Sequence, residues 1–164
     1  MSVACVKIEK KRIVLGADSI VVSGRTQDKD KNVKIRKVND VCGFACSGLV
    51  RETEFFYLYA KDKKPKYNNE DGIIDYFYDF SKFVDDKIGE KEIENSYIFV
   101  YDKKVWYFDK YFLKEIINFE AIGAGMEYAK TALFLGHSVE ESVKVACELS
   151  VYCELPCNVF TFSL

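Results

Sequence analysis

The sequence predicts an α+β protein arranged as a four-layer αββα sandwich, with two antiparallel sheets inside and a helix pair on each outer face. Three observations lead there. Four strand-like segments precede any helix, helical periodicity then comes in two pairs, and further strand-like segments separate and follow those pairs. Helix pairs inserted between groups of antiparallel strands must bury their apolar stripes against sheet faces, and a layered sandwich does this most simply.

Val3–Ile8 and Arg12–Ala17 flank a charged turn at Glu9–Lys11, the pattern of a hairpin. Gly24 to Asn32 is polar and reads as a loop. Val33–Val38 alternates polar with apolar residues, Val41–Cys46 is a short apolar run, and Asn39–Asp40 between them is a turn signal. A helix with Val50, Phe55, Tyr57, Leu58 and Tyr59 then runs without Gly or Pro until Lys63–Pro65. The basic and polar stretch Lys61–Asn69 reads as a connection. Beyond it Ile73, Ile74, Phe77, Phe80, Phe83, Val84 and Ile88 recur at helical spacing up to Gly89. So short a connection predicts an antiparallel helix pair. Tyr97–Tyr101 and Val105–Phe108 flank Asp102–Lys104 as another hairpin. The tight element Gly123-Ala124-Gly125 leads into a helix over Met126–Leu135. Ser138 and Glu141 form a capping box, followed by Val139, Val143, Ala146, Cys147 and Ser150 on one helix face. Asn158–Phe162 is the last strand, and the order reads ββββααββααβ.

With 164 residues the chain reads as one domain spanning 1–164, long enough to bury a substantial core. Apolar residues make up 49% and the net charge is −2, which excludes a disordered or collagen-like chain and gives no reason to expect a nucleic-acid partner. Thirteen Phe and eleven Tyr point to aromatic-rich helices or subunit surfaces. No apolar run approaches a membrane span and no secretory segment is visible, so a cytoplasmic protein is expected. The cysteines Cys5, Cys42, Cys46, Cys147, Cys153 and Cys157 then read as reduced thiols. The pairs Cys42/Cys46 and Cys153/Cys157 are spaced more widely than the Cys-x-x-Cys of most zinc sites, and His137 is the sole histidine. Neither a metal nor a cofactor is expected.

Met1 precedes a small residue and is therefore expected to be removed during synthesis, leaving Ser2 with a free α-amine. A hydroxyl and an α-amine on one residue form a nucleophile with its own base, the amine having a reference pKa near ~8. Asp18 lies 16 positions after Ser2, Lys34 lies 32 after it and Gly48 lies 46 after it. Taken singly, an Asp after a strand is a turn or cap residue, a Lys in an alternating strand faces solvent, and a serine at residue 2 is an ordinary N-terminus. Their joint spacing carries the argument.

The segments IVLGADS at Ile13–Ser19, NVKIRKVND at Asn32–Asp40 and GFACSG at Gly43–Gly48 form one block, and AIGAGMEYAK from Ala121 with SVEESVKVACEL from Ser138 form a second. In both blocks the chain resembles the proteasome β-subunit family, including its bacterial HslV branch, among the N-terminal-nucleophile hydrolases. The intervening helices match in pattern. The resemblance implies a threonine-type peptidase in which Ser2 occupies the place of the N-terminal threonine. In that family's chemistry Lys34 would lower the pKa of the hydroxyl, Asp18 would hold the lysine, and the Gly48 N–H would face the oxyanion. Glu154 would stand for the usual Asp of the last helix-to-strand turn. Val21, Asn32, Cys46 and Val50 would surround the substrate side chain, implying cleavage after apolar residues. The implied partners are peptide or unfolded-protein substrates, further copies in a homo-oligomeric ring (hexamer or heptamer, single or stacked double), and an AAA+ unfoldase.

The chain departs from the family where its GSG serine is Ala124, where the usual Ser or Thr three residues beyond Glu154 is Cys157, and where serine replaces a rotamer-restricted threonine. Val3–Ile8 also matches the family's first strand with Met1 in the nucleophile position. The alternative reading is a catalytically inactive proteasome-like subunit with a structural or interaction role.

Overall fold

In β-strands successive side chains point to opposite faces, so a strand sandwiched between two layers must supply two cores at once. The computed structural model, which describes residues 2–29 and 34–164, is built on that constraint. β1 (Ala4–Ile8) and β2 (Arg12–Ala17) pair antiparallel, Ala4 opposite Ala17 and Ile8 opposite Ile13. β10 (Phe119–Ile122) flanks β1 and β11 (Asn158–Ser163) flanks β2, giving a four-stranded sheet. The second sheet runs in sequence order through β5 (Ile35–Lys37), β6 (Cys42–Ser47), β7 (Ser96–Tyr101), β8 (Lys104–Asp109) and β9 (Phe112–Ile116), every neighbour antiparallel. The β7–β8 and β8–β9 turns are tight, with positive φ at Asp102 and Lys103 (42° and 68°) and at Lys110 and Tyr111 (47° and 63°). Such two-residue turns match the twist of the strands they join.

Alternation sorts the side chains into three cores. Ala4, Val6 and Leu15 from one sheet meet Ala45, Ile98 and Val100 from the other between the sheets. Val3, Cys5 and Val14 turn outward beneath α3 (Met126–Phe134) and α4 (Val139–Leu149). Phe44, Cys46, Tyr97 and Phe99 turn the opposite way beneath α1 (Val50–Asp62) and α2 (Glu70–Ile88). Two sheets separating three cores make the expected αββα sandwich. The helix ends follow the sequence too: the Asn69 side chain caps α2, Gly89 ends it, and Ser138 and Glu141 complete the capping box of α4.

Many of the aromatic residues fill the core under α1 and α2, while others, among them Tyr67, Tyr78, Phe112 and Phe134, are exposed. Phe56 is fully buried, with its ring centroid 4.8 Å from Phe44, 5.2 Å from Phe77, 4.9 Å from Phe80 and 4.6 Å from Tyr97. Such pairs contribute about 0.5–1.5 kcal/mol each beyond their area. All six cysteines are free thiols. No helix among the described residues is long and apolar enough to cross a membrane.

Two expectations need correction. Within the stretch Gly24 to Asn32 that reads as a loop, Thr26–Lys29 is β4, paired with β3 (Ile20–Ser23) in a separate ribbon from Ile20–Lys29 to Ser23–Thr26, and residues 30–32 lie outside the described residues. β4 is exposed along its whole length, so backbone pairing sustains it and no apolar alternation marks it. β9 and β10 were also missed, because both are short edge strands interrupted by Lys114, Glu115 and Glu120. The full order is ββββββααββββααβ.

Phe56→Ala is expected to lose about 3–5 kcal/mol of stability, the cost of emptying a packed aromatic site. Phe134→Ala, at a side chain 77% exposed, should stay within about 0.5 kcal/mol of the parent. Urea unfolding of the two variants checks the contrast.

Candidate functional site

Asp18 comes directly after β2, where the sheet's edge turns toward the ribbon, and its side chain is fully buried. A buried carboxylate is stable only when its oxygens are satisfied. Here Oδ1 accepts from the Val3 N–H at 2.9 Å and from Lys34 Nζ at 2.7 Å. Oδ2 accepts from the Glu154 N–H at 3.1 Å and the Ile20 N–H at 3.3 Å. Burial, the larger influence, pushes the pKa of Lys34 below the usual lysine range, while the charge and hydrogen bond of Asp18 pull it back upward.

Ser2 precedes β1 and is buried, with its carbonyl accepting from the Gly125 N–H at 3.1 Å. Its Oγ lies 2.9 Å from Ser47 Oγ. Gly123 has a φ of +90°, and a Cβ there would overlap the Ser2 carbonyl oxygen, so the turn can press this closely on Ser2 only as glycine. Ala124, between the two glycines, brings no hydroxyl.

Gly48 follows β6 with a φ of +144°, a conformation that side chains rarely adopt, and a Cβ there would overlap Asn95 Oδ1. The buried Asn95 clamps the next residue, accepting from the Leu49 N–H and donating through Nδ2 to the Leu49 carbonyl at 2.9 Å. Glu52 in turn accepts from the N–H groups of Glu94 (2.8 Å) and Asn95 (3.1 Å) and from the Tyr97 hydroxyl (2.7 Å). Burial raises the Glu52 pKa, with those three donors opposing it.

Ser2, Lys34 and Gly48 open together onto a pocket of about 70 Å³, walled by Ile20, Val21, Val22, Cys46, Val50 and Thr53. Cys46 Sγ lies 3.0 Å from Thr53 Oγ1, and burial pushes its thiol up to about 12, so it lines the pocket as a neutral group. Of the residues singled out in the sequence, Ser2, Asp18, Lys34 and Gly48 thus meet, and Val21, Cys46 and Val50 wall the same pocket. Asn32 lies outside the described residues. Glu154 is corrected: its carboxylate points outward to Lys29, 3.3 Å away, and is 40% exposed. Its contribution to the site is the backbone N–H on Asp18. A second carboxylate buried beside Asp18 would meet like-charge repulsion, so the side chain turns to solvent. No group of His, Cys, Asp and Glu among the described residues is arranged to hold a metal ion.

Sequence reasoning missed Ser47, Glu52, Thr53 and Asn95. Ser47 adjoins Gly48 and was within reach. Asn95 was not, since it lies in the charged stretch Glu90–Asn95, which reads as an exposed turn, and its partners are 46 residues away.

Asp18→Asn should cost about 3–5 kcal/mol at neutral pH by leaving the Lys34 ammonium buried and unpaired. Without the carboxylate the folded-state pKa of Lys34 falls further, so between that pKa and the ordinary lysine value the unfolded chain binds more protons. Stability then rises with pH across that window. Urea midpoints at pH 7 and pH 10 should show the gap to the parent shrinking.

Residues 3–77 match the family model described as proteasome subunit. No curated protein matches the chain. Among solved structures, BPH from Thiobacillus denitrificans in complex with epoxomicin is 18% identical, with a TM-score of 0.85 over 99% of this chain and 98% of that one. HslV from Trypanosoma brucei is 17% identical, with a TM-score of 0.79 over 99% of each chain. Anbu, an ancestral β-subunit from Yersinia bercovieri, is 9% identical, with a TM-score of 0.72 over 98% of this chain and 81% of that one. The chain therefore resembles the proteasome-subunit family over residues 3–77, and it shares its fold from end to end with BPH and HslV.

Proposed function

We propose that this protein is a proteasome-type peptidase subunit that uses Ser2 as its nucleophile once Met1 is removed. The observation that carries the reading is the convergence of Ser2, Lys34 and Gly48 on one pocket, with Asp18 bonded to the lysine behind it. Ser2 Oγ adds to a peptide carbonyl carbon and its proton passes to the α-amine. The carbonyl oxygen becomes an oxyanion facing the Gly48 N–H. The C–N bond then breaks, the departing amine takes the proton from the α-amine, and an ester to Ser2 remains. Water, deprotonated by the same amine, hydrolyses that ester and restores the hydroxyl. The Lys34 ammonium favours the alkoxide-like oxygen throughout, and Glu154 serves through its backbone hold on Asp18.

Val21, Cys46 and Val50 give the pocket apolar walls, which supports cleavage after apolar residues. One methylene in such a pocket changes preference by only about 1–3 kcal/mol, so the selectivity is broad. The chain acts in this reading as one domain of a homo-oligomeric ring, hexameric or heptameric and single or stacked. The ring works in the cytoplasm on peptides or unfolded proteins, with an AAA+ unfoldase as feeder. The likeness to BPH, HslV and Anbu supports the ring.

Intact-mass spectrometry after incubation with epoxomicin, the compound bound in the BPH structure, tests the chemistry. The expected result is loss of Met1 and one covalent adduct on Ser2. Ser2→Ala should take no adduct and hydrolyse peptides at least about a thousandfold more slowly, as expected for loss of a nucleophile. Hydrolysis by Ser2→Ala at the parent rate would refute the reading. Retained Met1 with no adduct would establish the inactive subunit instead.

A further inference from the structure

We propose that Ser47 holds the Ser2 hydroxyl in its reactive orientation, doing by a hydrogen bond what the methyl group of a threonine would do by sterics; this rests on the peptidase reading above. A serine side chain has no branch at Cβ, so χ1 has three staggered wells and nothing intrinsic selects the one aimed at substrate. The structure supplies a selector, because Ser2 Oγ and Ser47 Oγ are 2.9 Å apart.

The selector is well anchored. Ser47 is the last residue of β6, paired with Ser96 of β7, and it directly precedes Gly48. One residue therefore ties the nucleophile's orientation to the position of the backbone N–H that faces the oxyanion. The space around it is tight: a Cβ on Gly123 would lie 3.0 Å from Ser47 Oγ. The Gly123–Gly125 turn holds Ser2 through the Gly125 N–H alone, since Ala124 brings no hydroxyl. During attack the Ser2 proton passes to the α-amine, and the Ser47 O–H remains as donor to Ser2 Oγ. No proton is consumed or released at Ser47, so its effect is on orientation.

A cycle of full-length proteins tests this: the parent, Ser47→Ala, Ser2→Thr and the double variant, each measured for epoxomicin labelling rate and for kcat and KM on an apolar peptide. Ser47→Ala should lower labelling and kcat by about two- to tenfold, the range expected for one hydrogen bond, and leave KM unchanged. In the Ser2→Thr background the same change should cost less than twofold, because the methyl already restricts χ1. Ser47→Thr, which keeps the hydroxyl, should restore most of the loss. Equal losses in both backgrounds, no loss at all, an unlabelled Ser2→Thr protein, or failure of Ser47→Thr to restore the rate would each overturn the role of Ser47. A parent protein that epoxomicin does not label would overturn the peptidase reading along with it, so the two failures are distinct.

Discussion

The carboxylate of Asp18 is the interaction on which the rest of the site depends. Its four donors come from the start of β1, the corner leading into β3, the approach to β5 and the turn between α4 and β11. These stretches are far apart in sequence, and one buried anion fixes where all four meet. The constraint works in both directions. A carboxylate this deep is stable only with its oxygens satisfied, and the Lys34 ammonium, 8% exposed on its side chain, is stable there only with a partner.

A second frame holds the other side of the pocket and is rooted in packing. Tyr97 donates to Glu52, and its ring lies 4.6 Å from that of Phe56 at the centre of the aromatic core. Glu52 fixes the Asn95 backbone, and the Asn95 side chain fixes Leu49, next to Gly48. The aromatic core therefore sets the position of the glycine N–H through two buried hydrogen-bonded residues. Ser2 leads into β1 of the four-stranded sheet, whereas Gly48 follows β6 of the five-stranded one. The pocket is where these two segments and the β3–β4 ribbon meet, walled by Ile20, Val21 and Val22 beside Ser2, Lys34 and Gly48.

This division explains what could be read from the chain. Layer order, both helix pairs, the caps at Ser138 and Gly89 and the hairpins with apolar alternation were legible, because each leaves a local periodic or turn pattern. The spacing of Ser2, Asp18, Lys34 and Gly48 was legible through family resemblance. β4, β9 and β10 were not, since exposed or edge strands can form by backbone pairing without an apolar face. Glu154 was assigned by position, yet its backbone, rather than its charge, reaches Asp18. Asn95 and Glu52 left no trace because polar residues buried by distant contacts look the same in sequence as polar residues on a surface.

The buried pair of Lys34 and Asp18 also bears on whether the site exists for stability or for chemistry. Replacing a buried ion pair with well-packed apolar side chains is often neutral or stabilising by about 1–4 kcal/mol. The cores on either side show that this sequence readily fills such space with Val, Ile and Phe. Burial lowers the Lys34 pKa, while the charge and hydrogen bond of Asp18 oppose that shift. A fold that needed only packing has no requirement for the pair. Keeping it beside a pocket that also contains a buried hydroxyl and the Gly48 turn places positive charge where an oxygen nucleophile would develop negative charge, which packing alone does not require.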